Sequence, residues 1–437
     1  MTDTPSAKPY PVACAATRGD GHGAGEARTV MFLEQYYYPE GWGGAQLPRD
    51  VTMDWSQAGY RVVVVCGSEQ YAQSEDRDIV EPRRFGVRIR RIPALIGGDI
   101  RSRKVLRQLW FLCAAFPIMA LGRRPCLFVT QTNPPVTVLL TAVVAMLVRR
   151  PYVIIAQDLY PEVILAHGMV RRNTLFARLL QGLFDCAYAR ASAVVSLGAR
   201  MSGKLRSKGV NASRIWEISN WATGALDVVR GEENELRKAW DLDGKFVLVY
   251  SGNLGLAHDC ETLIRAVALA KRAAPQLKLV FIGDGSRSSV ARSLVREMEL
   301  EDAVTFKPFV PFEMLPQTFG LADLSVVTLL PGFDGLVVPS KFFGNMARGV
   351  PTLYIGPEGS DVDIVLNRSG GGFSIRNGDL ETAVHCILAA IRDSSDLARR
   401  GANAQRFYEA HLSRAAALSK YRQLVEHCLS SNHSKGA

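Results

Sequence analysis

Several stretches of this sequence put small, basic or acidic residues where a strand gives way to a helix, and each could do chemistry. In "VPSKFFGNMARGVP", Val338 to Pro351, Lys341 opens a short helix: Ser340 reads as its N-cap, and Phe342, Phe343 and Met346 have helical apolar spacing. A helix start already carries partial positive charge, so a lysine there is repelled unless an anion joins them. Gly344 is a second oddity, since glycine inside a helix costs about 1 kcal/mol against alanine. In "EGWGGAQ" (40–46), Gly43 and Gly44 allow close backbone approach to a phosphate or diphosphate at a helix start. The glycines do not match GxGxxG, so a nicotinamide dinucleotide is not indicated, and a flexible turn is the plain alternative. "SGNLGLAHD" (251–259), with Gly252 and Asn253, and "FIGDGSR" (281–287), with Gly283, Asp284 and Gly285, are equivalent loops. Singly each is an ordinary βα turn, and Arg287 could be a solvated surface charge. Together with Ser340 and Lys341 they suggest a nucleotide pocket. In "AQDLYPE" (156–162), Asp158 falls at a strand's carboxyl end, where a carboxylate can accept a substrate hydroxyl or proton; a helix-capping aspartate is the alternative. His167 reads as a plain helix or loop histidine.

These residues need a frame. "TVMFLEQYYYPEGWGGAQLPRDVTMDWSQAGYRVVVVCGS" reads as strand 29–34, a Gly-containing loop, an amphipathic helix near 44–58 and strand 61–66. Buried strands are expected again at 126–131, 152–157 and 193–196. Near-continuous apolar strands alternating with helices imply a parallel sheet covered on both faces. The pattern restarts with strand 246–251, a Gly loop and helix 258–273. "LKLVFIGDGSRSSVARSLVREM" repeats it, and strands at 304–306, 325–329 and 352–355 follow. This predicts an α/β protein of two Rossmann-like domains, 29–225 and 226–405, with a tail at 1–28 and closing helix and tail at 406–437. Ligands of such sheets bind beyond the carboxyl ends of the strands, which puts the site in the cleft between the halves.

Composition narrows the class. An apolar content of 48% over 437 residues supports a sizeable core. The eight cysteines form no CxxC pair and the seven histidines do not cluster, which argues for reduced thiols in a cytoplasmic protein and against structural zinc. The first 28 residues lack the apolar run of a signal peptide and read as a disordered tail. The net charge of +10 is uneven: residues 1–225 carry +11 and residues 226–437 carry −1. Residues 83–124 alone hold 11 basic side chains against Asp99. That segment joins Arg101, Arg103, Lys104 and Arg107 to an apolar run that carries Trp110 and Phe111 near its start, a pairing suited to an anionic membrane surface. Nucleic acid is disfavoured because the apolar run has no interleaved polar residues to read bases; a basic loop and core helix is the plain alternative. The uncharged run 109–121 is too short to span a bilayer, and "TQTNPP" (130–135) breaks the longer run 125–148, so no transmembrane span is expected.

"EQYYYPEGWGGAQL", "QTNPPV", "AQDLYPE", "YSGNLGLAHDCETL", "FIGDGSR" and "LPGFDGLVVPSKFFGNMARGVPTLYIGPEGS" together resemble the bacterial family 4 glycosyltransferases over roughly 29–425. The resemblance is closest to the N-acetyl-fucosamine transferase and colanic-acid fucosyltransferase type. It implies the GT-B fold, a last helix that crosses back onto the first domain, retention at the anomeric carbon, and no cofactor or essential metal. The implied partners are a nucleotide-sugar donor, expected to be UDP-linked, a lipid-linked glycan acceptor and an anionic membrane surface, with the protein peripheral to the inner face of the cytoplasmic membrane. By that resemblance Gly43 and Gly44 approach the donor phosphate or acceptor, and Gly252, Asn253, Gly283, Asp284 and Gly285 line the nucleotide. Ser340 and Lys341 hold the diphosphate, Gly344 brings helix backbone close to the donor, and Asp158 faces the sugar or acceptor. Asn253 and His258 stand where many relatives have Arg and Lys, Gly344 stands where many have a ribose-binding Glu with Asp334 the nearest upstream acid, and Gln157 replaces a His. A sugar-nucleotide epimerase and a non-catalytic nucleotide-binding scaffold are the competing readings.

Overall fold

The computed structural model describes residues 28–38, 43–67, 85–93, 101–122, 125–171, 173–224 and 226–431. The tail expected at 1–28 lies outside the described residues except for Arg28. Among the described residues thirteen strands form two sheets. The first contains β1 (Thr29–Leu33), β2 (Arg61–Gly67), β3 (Arg88–Ile92), β4 (Leu127–Gln131), β5 (Tyr152–Ile155), β6 (Ala193–Ser196) and β7 (Ile215–Glu217). The second contains β8 (Phe246–Ser251), β9 (Leu277–Ile282), β10 (Val304–Lys307), β11 (Leu324–Thr328), β12 (Thr352–Ile355) and β13 (Gly372–Ile375). The spatial orders are β3-β2-β1-β4-β5-β6-β7 and β10-β9-β8-β11-β12-β13, with every pairing parallel.

These strands are short Val, Ile and Leu runs because both of their faces are covered. On β8, Val247 and Val249 enter one core while Leu248 and Tyr250 enter another, the period of two that a pleated strand imposes. In each sheet the chain winds outward from the central strand and then crosses back, leaving a switch point between β1 and β4 and another between β8 and β11. Right-handed crossovers then place helix Gly43–Gln57 on one face of the first sheet, and helices Arg101–Leu121, Val136–Leu147 and Leu175–Arg190 on the other. The last helix, Arg414–Ser430, packs beside Gly43–Gln57.

Three strands escape the apolar-run reading. In β3 three of the five residues are arginines, at a sheet edge. β7 has three residues, and β13 starts at Gly372, where a Cβ would meet the Thr352 carbonyl oxygen at 2.0 Å. In the basic segment, Phe111 is a core side chain at 3% exposure, packed with the buried Ala115 and Met119, so it cannot lie at a membrane headgroup. Trp110 keeps an exposed ring and its indole N–H donates to the Pro93 carbonyl at 2.9 Å. Arg107 is half-buried, and the side chains of Arg101, Arg103 and Lys104 lie outside the described residues.

Candidate active site

The switch point of the second sheet brings together the loops that leave β8 and β11. They are stitched by Leu330 N–H donating to the Ala257 carbonyl at 2.7 Å and by the His258 ring, whose Nδ1–H donates to the Thr328 carbonyl at 2.8 Å. Burial, reinforced by the nearby Lys341 charge, pushes the His258 imidazole down to about 4, so it is neutral and its Nε2 is an acceptor. Lys341 is the first residue of helix Lys341–Ala347. Its Nζ stands 3.5 Å above the centre of the Tyr250 ring and within 4 Å of where a Cβ on Gly252 would lie. That Nζ is buried with no hydrogen-bond partner, and burial holds its pKa well below the usual lysine range. Tyr250 is fixed beneath it by donating from its hydroxyl to the Asn253 carbonyl at 3.0 Å.

Gly252 has φ 116° and donates its N–H to Ile282, while Gly283 has φ 119° and donates to Lys307. Only glycine takes such angles cheaply, and a Cβ on Gly283 would meet the Gly252 carbonyl oxygen at 2.7 Å. A Cβ on Gly285 would meet the Leu254 carbonyl oxygen at 2.4 Å, so the two loops lie backbone against backbone. Asp284 is exposed at the loop tip, where the Ser288 hydroxyl and the Gly285 N–H hold its carboxyl below the usual range. Arg287 is no solvated charge: it pairs with Glu261 at 2.6 Å, and its Nε is buried without a hydrogen-bond partner.

Asp158 leaves β5 at the facing edge. Thr132, from the "QTNPPV" loop after β4, accepts from the backbone N–H groups of Gln157 at 3.0 Å and Asp158 at 3.1 Å. Burial pushes the Asp158 carboxyl up to about 6. The segment after β5 reaches the second domain: Asp158 forms a β-bridge with Val337, and Leu159 N–H donates to the Leu336 carbonyl at 2.9 Å. Asp158 is thus tied to the segment that leads into Lys341. Around it, Gln157 and Asn220 exchange amide hydrogen bonds, and Arg200 joins Asp334 at 2.8 Å while its N–H donates to Asp361.

Chain regions 43–221 and 232–407 match the families described as "Glycosyl transferase 4-like domain" and "Glycosyl transferases group 1", one for each sheet. The chain belongs to the family 4 glycosyltransferases. Its glycosyltransferase relatives include the probable glycosyltransferase WbjE of Pseudomonas aeruginosa, 27% identical over 59% of this chain and 64% of that protein. The putative colanic acid biosynthesis glycosyl transferase WcaI of Escherichia coli K12 is 28% identical over 36% of this chain and 38% of that protein. The matches thus span less than two thirds of those relatives' length. Among solved structures, Anabaena HepE in complex with UDP superposes with TM-score 0.68 at 16% identity, over 92% of this chain and all of that one. The lipopolysaccharide glycosyltransferase WaaG superposes with TM-score 0.65 at 13% identity, over 90% of this chain and 99% of that one. These likenesses establish the GT-B fold.

The glycosyltransferase cleft gathers Gly252, Asn253, Gly283, Asp284, Gly285 and Lys341 at the second sheet's switch point. Asp158 arrives from the first sheet. Gly43 and Gly44 are the first two residues of helix Gly43–Gln57, which follows β1 in the chain. Ser340 is exposed and helical (φ −62°, ψ −26°) and makes no capping bond, so the turn starts before it and the N-cap reading fails. Gly344 is buried, and a Cβ there would meet the Phe319 ring at 3.1 Å. Its side-chain direction is filled by protein. Thr132, His258 as a neutral acceptor, and the Arg200–Asp334 pair emerge only from the fold; the "QTNPPV" motif was the one sequence signal for Thr132.

Proposed function

We propose that this glycosyltransferase moves a sugar, with retention, from a UDP-linked donor to a polyprenyl-diphosphate-linked glycan in exopolysaccharide or O-antigen assembly, working at the inner face of the cytoplasmic membrane. The observation that carries the donor half is the Lys341 Nζ, buried without a hydrogen-bond partner beside the bare backbone of Gly252. A diphosphate there gives the ammonium its missing partner. The Gly252–Asn253 and Gly283–Gly285 loops line the nucleotide, and Gly43 and Gly44 approach from the first domain. The HepE structures with UDP and UDP-glucose and the name of the WcaI relative support this reading.

In the reaction the bond from the sugar's anomeric carbon to the diphosphate oxygen breaks, and the acceptor oxygen bonds to that carbon on the same face. The leaving diphosphate takes the acceptor proton. Lys341 stabilises the charge that develops on the diphosphate, and Asp158, ionised above pH 6, faces the positive charge that builds on the sugar. No resident metal enters this reading. The decisive experiment is release of UDP from a panel of UDP-sugars with membrane lipid acceptor. Lys341→Ala is expected to lower kcat/KM for the donor by about 10²-fold and raise donor KM. Nucleotide binding without turnover of any donor would sink the transfer reaction, and unchanged Lys341→Ala kinetics would sink the role of Lys341.

A further inference from the structure

A helix layer over a parallel sheet normally turns a polar face outward. Here it does not. Of the eighteen large apolar side chains exposed among the described residues, twelve lie on three neighbouring helices of the first domain. Helix Arg101–Leu121 shows Leu106, Leu109, Trp110, Phe116 and, at 84% exposure, Leu121 on the side opposite its core residues Phe111, Ala115 and Met119. Helix Val136–Leu147, in the middle, shows Val143, Met146 and Leu147. Helix Leu175–Arg190 shows Leu175, Phe176, Leu179 and Leu183 beside the stripe formed by the buried Ala177, Phe184 and Ala187. A patch of this spread marks a contact surface.

Charge identifies the occupant. From residue 101 to 157 the chain has no Asp or Glu. Among the described residues, Glu162 and Asp185 share Lys208 at 2.5 and 2.6 Å, so its one ammonium answers one of their two negative charges. Arg149, Arg150 and Arg178 are exposed on and around the same helices. A second copy of the chain, meeting this face by two-fold symmetry, would set three arginines against three arginines with one uncompensated carboxylate charge on each side. Among the described residues no helix is long and apolar enough to cross a membrane, so an apolar face with a cationic rim meets a bilayer from the side. We propose that the outer faces of these three helices, led by Phe176 and Leu179, form the docking surface for an anionic lipid bilayer. Each of the three helices starts near the carboxyl ends of the first sheet's strands, the edge that carries Asp158, so a bilayer seated here borders the cleft. The inference rests on the exposed face and not on the identity of donor or acceptor.

Flotation of the full chain with vesicles, in the absence of donor and acceptor, tests it. The chain is expected to float with vesicles of one-third phosphatidylglycerol in phosphatidylcholine, more weakly with phosphatidylcholine alone, and less as salt rises. Phe176→Ser with Leu179→Ser, and separately Val143→Ser with Leu147→Ser, should each require at least about tenfold more lipid for half-binding. Leu269→Ser with Val290→Ser, exposed on the second domain, should float as the parent does. The proposal is overturned if the parent fails to float. It is also overturned if either first-domain pair floats like the parent with an unchanged melting temperature, or if the face instead mediates a dimer that the substitutions dissolve.

Discussion

At the scale of single residues, the cleft holds two groups whose protonation is set by burial, and they pull stability in opposite directions. Asp158 has its pKa raised to about 6, so the fold favours its neutral form; its contribution is present in acid and lost as pH rises through 6. His258 has its pKa lowered to about 4, so the fold loses stability as pH falls from about 6.5 towards 4, where the unfolded chain takes the proton first. Asp158→Asn separates them. We expect the variant to melt above the parent at pH 8, with the gap closing near pH 4. Its donor kcat/KM should fall by about 10²–10⁴-fold and lose the acid limb centred near 6 that the parent shows. A parent profile flat from pH 5 to 8 would remove Asp158 from the chemistry.

At the scale of elements, the Gly252–Asn253 and Gly283–Gly285 loops work because nothing stands between their backbones. Gly285→Ala forces a Cβ into the Leu254 carbonyl and the Asn253 side chain, so we expect a loss of about 1–3 kcal/mol in calorimetry together with weaker nucleotide binding. Gly182→Ala, in a helix with open space around the added Cβ, should leave both unchanged or gain slightly in stability. Equal effects from the two substitutions would refute the packing argument. The loops were legible in the sequence because glycine clusters follow apolar strands, and Lys341 because a cation at a helix start stands out. The N-cap reading of Ser340 failed, and the ring packed on Gly344 went unseen, for one shared reason. Helix boundaries and facing neighbours are tertiary facts, and neither the helical conformation of Ser340 nor the Phe319 ring against Gly344 leaves a local pattern. β3 was hidden by its three arginines, which edge position tolerates and a run-based reading does not. The apolar faces of helices Val136–Leu147 and Leu175–Arg190 were hidden too, since a residue's type does not say which side of its helix is covered.

At the scale of the molecule, the two sheets are locked by the last helix as much as by the cleft. Tyr421 of helix Arg414–Ser430 lies between Trp55 and Trp221, with ring centres 6.4 and 6.3 Å away. Asp50 accepts from the Trp221 indole at 3.1 Å and pairs with Arg414 at 2.8 Å, and Arg422 pairs with Asp54 at 3.0 Å. We expect Tyr421→Ala to lose about 3–5 kcal/mol and to split thermal unfolding into two transitions, the first belonging to the N-terminal sheet. A single transition lowered by less than about 1 kcal/mol would show that the helix is dispensable to that core. One cluster of buried side chains runs from β1 through Trp55 and Trp221 to Tyr421 and Leu424, and also takes in Phe342 and Met346. This has a consequence for how the chain is made. The domain synthesised first is finished by the helix synthesised last, and at 5–20 residues per second roughly 20 to 70 s separate the appearance of Trp55 from that of Tyr421. For that interval a nascent chain presents an uncovered aromatic face to the ribosome's surroundings, and a chaperone or the remaining translation must shield it until the tail arrives.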